Sequence, residues 1–175
     1  MRIIGIDPGY AIVGWGVLDY ENSRFHVVGY GSLTTPAGIL TEKRLEMIYD
    51  GMEELLKKYA PDEMAVEELF FGSNRTTGIK VAEARGVILL SAQKHGITVA
   101  EYNPTQVKQA VVGYGKAEKM QVISLVTHLL GLSSPPKPDD TADALAIAVC
   151  HGHSGSSRLA QLQQLQKIQG NDKCF

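Results

Sequence analysis

Cysteine is scarce in this chain: only Cys150 and Cys174 occur in 175 residues. Two thiols cannot build a disulfide framework, and Cys150 stands in an apolar run that suits a buried thiol. Long apolar stretches are missing as well. Nothing nears the ~18 apolar residues of a membrane-spanning helix. Asp7 also interrupts the first apolar run before a secretory signal could form. A soluble cytoplasmic protein is therefore expected. Histidine is never clustered: the five lie at 26, 95, 128, 151 and 153, and His151-Gly-His153 is too short and isolated to claim as a metal site. A basic excess is absent too, since 17 Lys and Arg against 19 Asp and Glu leave a net charge of −2. Taken alone, that balance speaks against a nucleic-acid binder. Acids reserved for a bound metal would, however, hide a weakly basic remainder, so distribution decides more than the total.

What is present is ordinary for a globular domain: 44% hydrophobic and 21% charged residues, in a length that suits one core. The first strand runs into Asp7, and Pro8-Gly9 turns the chain before small and apolar residues alternate from Ala11 to Asp19. Phe25 to Thr35 reads as a third strand of an antiparallel meander. The period then changes to three and four over Leu40 to Tyr59, an amphipathic helix followed by Pro61. Met64 to Leu69 is a fourth strand, Ile79 to His95 a helix closed by Gly96, and Thr98 to Tyr102 a fifth strand. Asn103-Pro104 caps a helix through Val112, Ala117 to Leu130 forms another, and Asp139 to His151 a last core helix. The spacing predicts an α/β domain over 1–151. Its mixed five-stranded sheet, antiparallel meander plus parallel strands, is flanked by helices on both faces. Gly152 to Ser157 reads as loop, and 152–175 as a short Gln-rich tail.

Four acids share this framework. Asp7 ends a buried strand, where it needs a metal ion, an Arg or Lys, helix-terminal amides, or turn hydrogen bonds. Glu67 sits between Val66 and Leu69 in apolar context, with Glu68 on the opposite face. Asp140 and Asp143 are three apart and share one side of the last helix. Asp139 or Asp140 could serve merely as its cap, whereas Asp143 lies a turn inside among Ala144, Leu145 and Ile147. Oxygen donors without clustered His or Cys select Mg²⁺ or Mn²⁺ over Zn²⁺. Two such ions ~4 Å apart can stabilise both the attacking and leaving oxygens of a phosphodiester displacement.

At this point the chain resembles the RuvC-type Holliday junction resolvases of the RNase H-like superfamily. The resemblance runs from Ile3 to about His151. It rests on Gly5-Ile-Asp-Pro-Gly9 with Gly14-Trp-Gly16, on Glu67 with Phe70 and Asn74, and on Ala84-Arg-Gly-Val87. It continues through Gln106-Val-Lys-Gln109, Ala117-Glu-Lys119 and Asp140-Thr-Ala-Asp-Ala-Leu-Ala146. It implies a homodimeric endonuclease that nicks two opposed strands of a four-way DNA junction. The implied cofactor is Mg²⁺, two ions per subunit, with Mn²⁺ able to substitute. Asp7, Glu67, Asp140 and Asp143 match the family's catalytic acids, and a branch-migration motor of the RuvA and RuvB type is the implied partner. Only the tail departs: with Arg158 and Lys167 alone around its glutamines, it is less basic than expected.

Beyond the acids, Lys108 is expected to face outward from its helix, and Lys116 and Lys119 flank a Gly-rich turn entering the next. Lysines near helix-start amides can grip phosphate, and the resemblance favours Lys108 and Lys119 as contacts. Phe70, ahead of Asn74-Arg75, is a candidate to stack on an unpaired base; as ordinary core it would have no such role. A two-fold substrate suggests a two-fold dimer, placed on Ile79 to His95 through Ala82, Ala84, Gly86 and Leu89. Two other functions compete. A sugar-kinase-like phosphotransferase would need a second domain that 175 residues cannot hold. A non-catalytic relative would keep four repelling acids at a cost to stability.

Overall fold

Strand β1 (Arg2–Asp7) is the middle of the sheet, and alternation along it feeds both layers. Ile4 and Ile6 enter one apolar cluster, while Ile3 enters the other. Asp7 therefore leaves on the Ile3 side. The computed structural model describes residues 1–69 and 75–154, the side chains of 75–77 excepted. β2 (Ile12–Glu21) and β3 (Arg24–Thr34) pair antiparallel in the meander, joined by Asn22 and Ser23 at positive φ. β4 (Glu63–Glu67) and β5 (Thr98–Tyr102) add in parallel, giving the order β3-β2-β1-β4-β5.

Helices α1 (Thr41–Tyr59) and α2 (Arg75–Lys94) cover the Ile4 and Ile6 face through Ile48, Met52, Leu56, Ala84 and Ile88. On the other face lie α3 (Pro104–Val112), α4 (Lys119–Leu129) and α5, over 139–154. The sheet composition, its two covered faces and the element order agree with the sequence expectation. α5 is the centrepiece of its layer, since between 141 and 152 every residue but Asp143 is buried.

That helix approaches the sheet closely because glycines lie beneath it. Gly5 faces α5, and a Cβ there would come 2.8 Å from the Ala148 Cβ. Gly14 is the cross-strand partner of Asp7, and a Cβ on it would strike the Asp140 carbonyl oxygen. The far end of α5 is fastened by His151, whose Nδ1 meets the Tyr102 hydroxyl at 2.8 Å and whose Nε2 meets Glu63 Oε2 at 2.6 Å.

Several boundaries differ from expectation. β4 ends at Glu67, two residues short of Leu69, because its partner β5 stops at Tyr102 where Asn103 and Pro104 open α3. α2 begins at residue 75, through a Thr-Thr-Gly stretch of weak helix formers. α4 begins at Lys119, with Glu118 and Gln121 forming a reciprocal cap. α5 runs on through 154 rather than stopping at His151; Gly152 is a packing residue, its hydrogen side pressed against the Phe25 ring.

Candidate active site

The sheet brings the first two acids together. Ile6 pairs with Val66 in parallel register, so Asp7 and Glu67, the next residues, leave the same edge of adjacent strands. The N-terminal turns of α5 cross Gly14, beside Asp7, and deliver Asp140 and Asp143. First strand, fourth strand and last described helix thus meet at one point.

These acids are coupled electrostatically. Burial pushes Asp7 up to about 8, with Glu67, Asp143 and Asp140 adding repulsion in that order and Lys119 opposing. Glu67 is raised by burial and then by Asp143. Asp143 is also raised, chiefly by burial, even though Lys119 counters. The Lys119 ammonium lies 3.0 Å from Asp143 and 3.7 Å from Asp139. Burial works against its charge, yet these acids hold it above its ordinary value. One lysine therefore faces five neighbouring acids and does not balance them.

Other residues frame this centre. Glu67 borders two clefts. One lies among α3, α4 and α5, with Lys108, Lys119 and Asp143 on its wall. The other lies along α2, with Pro8, Val81 and Arg85. Lys119, expected beside a Gly-rich turn as a phosphate contact, is exposed and pairs with Asp143 and Asp139. Lys108 lines the cleft, half-buried rather than outward, because α3 closes over the site. Lys116 is exposed on the connector between α3 and α4. Phe70, Asn74 and the side chain of Arg75 lie outside the described residues. Two residues escaped the sequence reading. Asp139 helps hold Lys119, and Arg85 Nε donates to the Glu67 carbonyl at 3.3 Å while its guanidinium pairs with Glu101. The Ala84-Arg85-Gly86 segment was the available signal for Arg85, but its role needed the fold.

Among the described residues no three side chains already converge as a finished metal cage. The donor chemistry nevertheless fits a hard divalent cation: all oxygens, partly desolvated, with pKa values raised by uncompensated negative charge.

Acids gathered at the strand ends of a sheet of this order place the protein in a class, the nucleases of RNase H-like fold. The sequence matches the family described as crossover junction endodeoxyribonuclease RuvC over residues 3–151. A crossover junction endodeoxyribonuclease RuvC of Clostridioides difficile is 54% identical, covering 88% of this chain and 91% of that one. Among solved structures, Thermus thermophilus RuvC superposes with a TM-score of 0.83 at 35% identity, covering 90% of this chain and 96% of that one. The same Thermus protein in complex with Holliday junction substrate gives 0.82 at 33% identity with equal coverage. This chain belongs to the RuvC family of crossover junction endodeoxyribonucleases.

Proposed function

We propose that the protein binds four-way DNA junctions and resolves them by nicking two opposed strands, leaving 5′-phosphate and 3′-hydroxyl ends. Asp7, Glu67, Asp140 and Asp143 are its catalytic acids, and they hold Mg²⁺, two ions per subunit. The observation that carries this reading is the placement of three carboxylates with raised pKa, from β1, β4 and α5, at one end of the sheet and electrostatically coupled to one another. Divalent ions held there would supply positive charge that favours ionisation of an attacking water and offsets the negative charge growing on the departing 3′ oxygen. The chain's own part is to hold the acids in register and to place a phosphodiester over the strand ends. Lys119, which pairs with Asp143, and Lys108 on the same cleft wall would meet phosphate oxygens of the strand, with Lys116 farther out. Phe70, Asn74 and Arg75 complete the DNA surface in this reading.

A junction with two-fold symmetry calls for a two-fold protein. α2 supplies the candidate interface, though not through all the positions the sequence suggested. Ala84 is buried against the sheet and Leu89 packs inward, because the helix phase turns them toward α1. Gly86 has open space around it, and Ile79 and Leu90 are 56% and 55% exposed on the same outward face. A cytoplasmic setting and a branch-migration motor of the RuvA and RuvB type belong to the same proposal. So does a single nuclease domain followed by a Gln-rich tail.

Incubation with a synthetic four-way junction and with duplex of equal sequence tests the activity. Paired nicks in the junction alone, dependent on added Mg²⁺, are expected. Equal cutting of both substrates, or cutting in the presence of chelator, would contradict it.

A further inference from the structure

The turn after Asp7 carries an arrangement that the acid cluster does not use. Tyr10 is buried and donates its hydroxyl to Thr41 Oγ1 at 3.0 Å, while its carbonyl accepts the Thr35 hydroxyl at 2.7 Å. Arg44 donates to that same Thr35, from Nε to the hydroxyl at 2.8 Å and from Nη2 to the carbonyl at 3.0 Å. The Arg44 guanidinium lies 4.0 Å from the centroid of the Tyr10 ring, and the Lys80 ammonium stands 5.2 Å from that centroid. One aromatic ring thus carries two cations.

Stability alone does not account for this. A ring face attracts each cation, but the two cations repel each other. Arg44 is only 9% exposed, and a buried charge ordinarily requires a carboxylate partner. Among the described residues neither Arg44 nor Lys80 forms an ion pair with an acid. Positive charge is therefore left facing outward through Lys80, which is exposed.

Its position gives that charge a use. Val81, the next residue along α2, shares a cleft with Pro8 and Glu67. Lys108 and Lys119 line the cleft on the other side of Glu67. Lys80 thus stands beside the turn that follows Asp7, on the α1–α2 side of the sheet, whereas Lys108 and Lys119 belong to the opposite helical layer.

We infer that Lys80, held on the Tyr10–Arg44 stack, binds a phosphodiester of the strand crossing the acids, on the flank opposite Lys108 and Lys119. The inference rests on the junction-nuclease reading. A phosphate oxygen accepts from the Lys80 ammonium, the Tyr10 ring narrows where that ammonium can go, and the buried Arg44 raises the local potential. Such a contact positions DNA without reading its sequence.

The test is the salt dependence of binding to a fluorescent synthetic four-way junction and to duplex, measured in Ca²⁺ for wild type, Lys80→Gln and Lys80→Arg. Removing one lysine–phosphate pairing lowers the slope of log affinity against log salt by about 0.9. Lys80→Gln is expected to show that decrease on the junction, and Lys80→Arg to restore the wild-type slope. Because Lys80 is exposed, all three proteins should share one melting temperature. An unchanged slope in Lys80→Gln overturns the contact and leaves the nuclease reading standing. A wild type that binds junction and duplex alike overturns the junction reading, while the slope on either DNA still scores Lys80.

Discussion

Asp7 keeps its proton up to about pH 8 in the folded metal-free protein, whereas in the unfolded chain it loses it near the ordinary value of 3.8. Between those limits the folded state binds more protons than the unfolded one, so stability falls as pH rises from about 4 to about 8. Above that range the loss is complete and the curve is level. Glu67 and Asp143, also raised, act in the same direction. Asp7→Asn should therefore raise the melting temperature of metal-free protein at pH 8 and change it little at pH 4, while abolishing junction cutting. Calorimetry at the two pH values, paired with a cleavage assay, checks both halves; equal melting shifts at both would contradict a buried, unmatched carboxylate. Mg²⁺ should stabilise wild type more than Asp7→Asn, since binding to the folded state adds to its stability. At Phe70 the expectation is different. A ring stacked on an unpaired base contributes ~1–3 kcal/mol, so Phe70→Ala should slow junction cleavage about ten- to a hundredfold with melting unchanged. A melting temperature lowered by many degrees would make Phe70 core and transfer the role to Phe71.

The elements act through one close packing, α5 on the glycine-lined centre of the sheet. Gly14→Ala would drive a Cβ into the Asp140 carbonyl, and α5 cannot easily back away because His151 ties its other end to Tyr102 and Glu63. A loss of roughly 1–3 kcal/mol of stability is expected, as for other overpacked sites. Cleavage should fall further than stability explains, because Asp140 and Asp143 move with the helix. Denaturant melts and cleavage rates, measured on the same preparation below its melting range, separate the two effects. Much of this arrangement was legible in the sequence. Alternation around Asp7, the acid ending β4 and the three-residue spacing of Asp140 and Asp143 each follow from local periodicity. What stayed hidden depends on contacts between distant segments. Tyr10, Arg44 and Lys80 lie on a turn and two helices, and no local pattern joins them. The pairing of Lys119 with Asp143 was likewise hidden, because only the placement of α5 brings that acid to it. Ala84 pointed the wrong way because the small residues of α2 do not reveal which side its neighbour α1 occupies.

At the scale of the molecule, the outward face of α2 should hold two copies together. Leu90→Asp would place a charge at the centre of that face without touching the core. Sedimentation at micromolar protein is expected to show dimer for wild type and monomer for the variant, with melting of the monomer fold preserved. Only monomer in both would contradict the interface. Single nicks in place of paired ones would follow from the separated subunits, since one subunit carries one acid cluster. The distribution of those acids along the chain has a further consequence for the cell that makes the protein. A ribosome releases Asp7 early and Glu67 midway, but Asp140 and Asp143 emerge only with α5. Until then the sheet face bearing Ile3 and Leu18 lacks the central helix of its cover. No growing chain can assemble the full set of acids ahead of the helix that also closes its core. Synthesis thus keeps the blade apart from its handle, and the chromosome meets a cutting enzyme only after the fold that restrains it is finished.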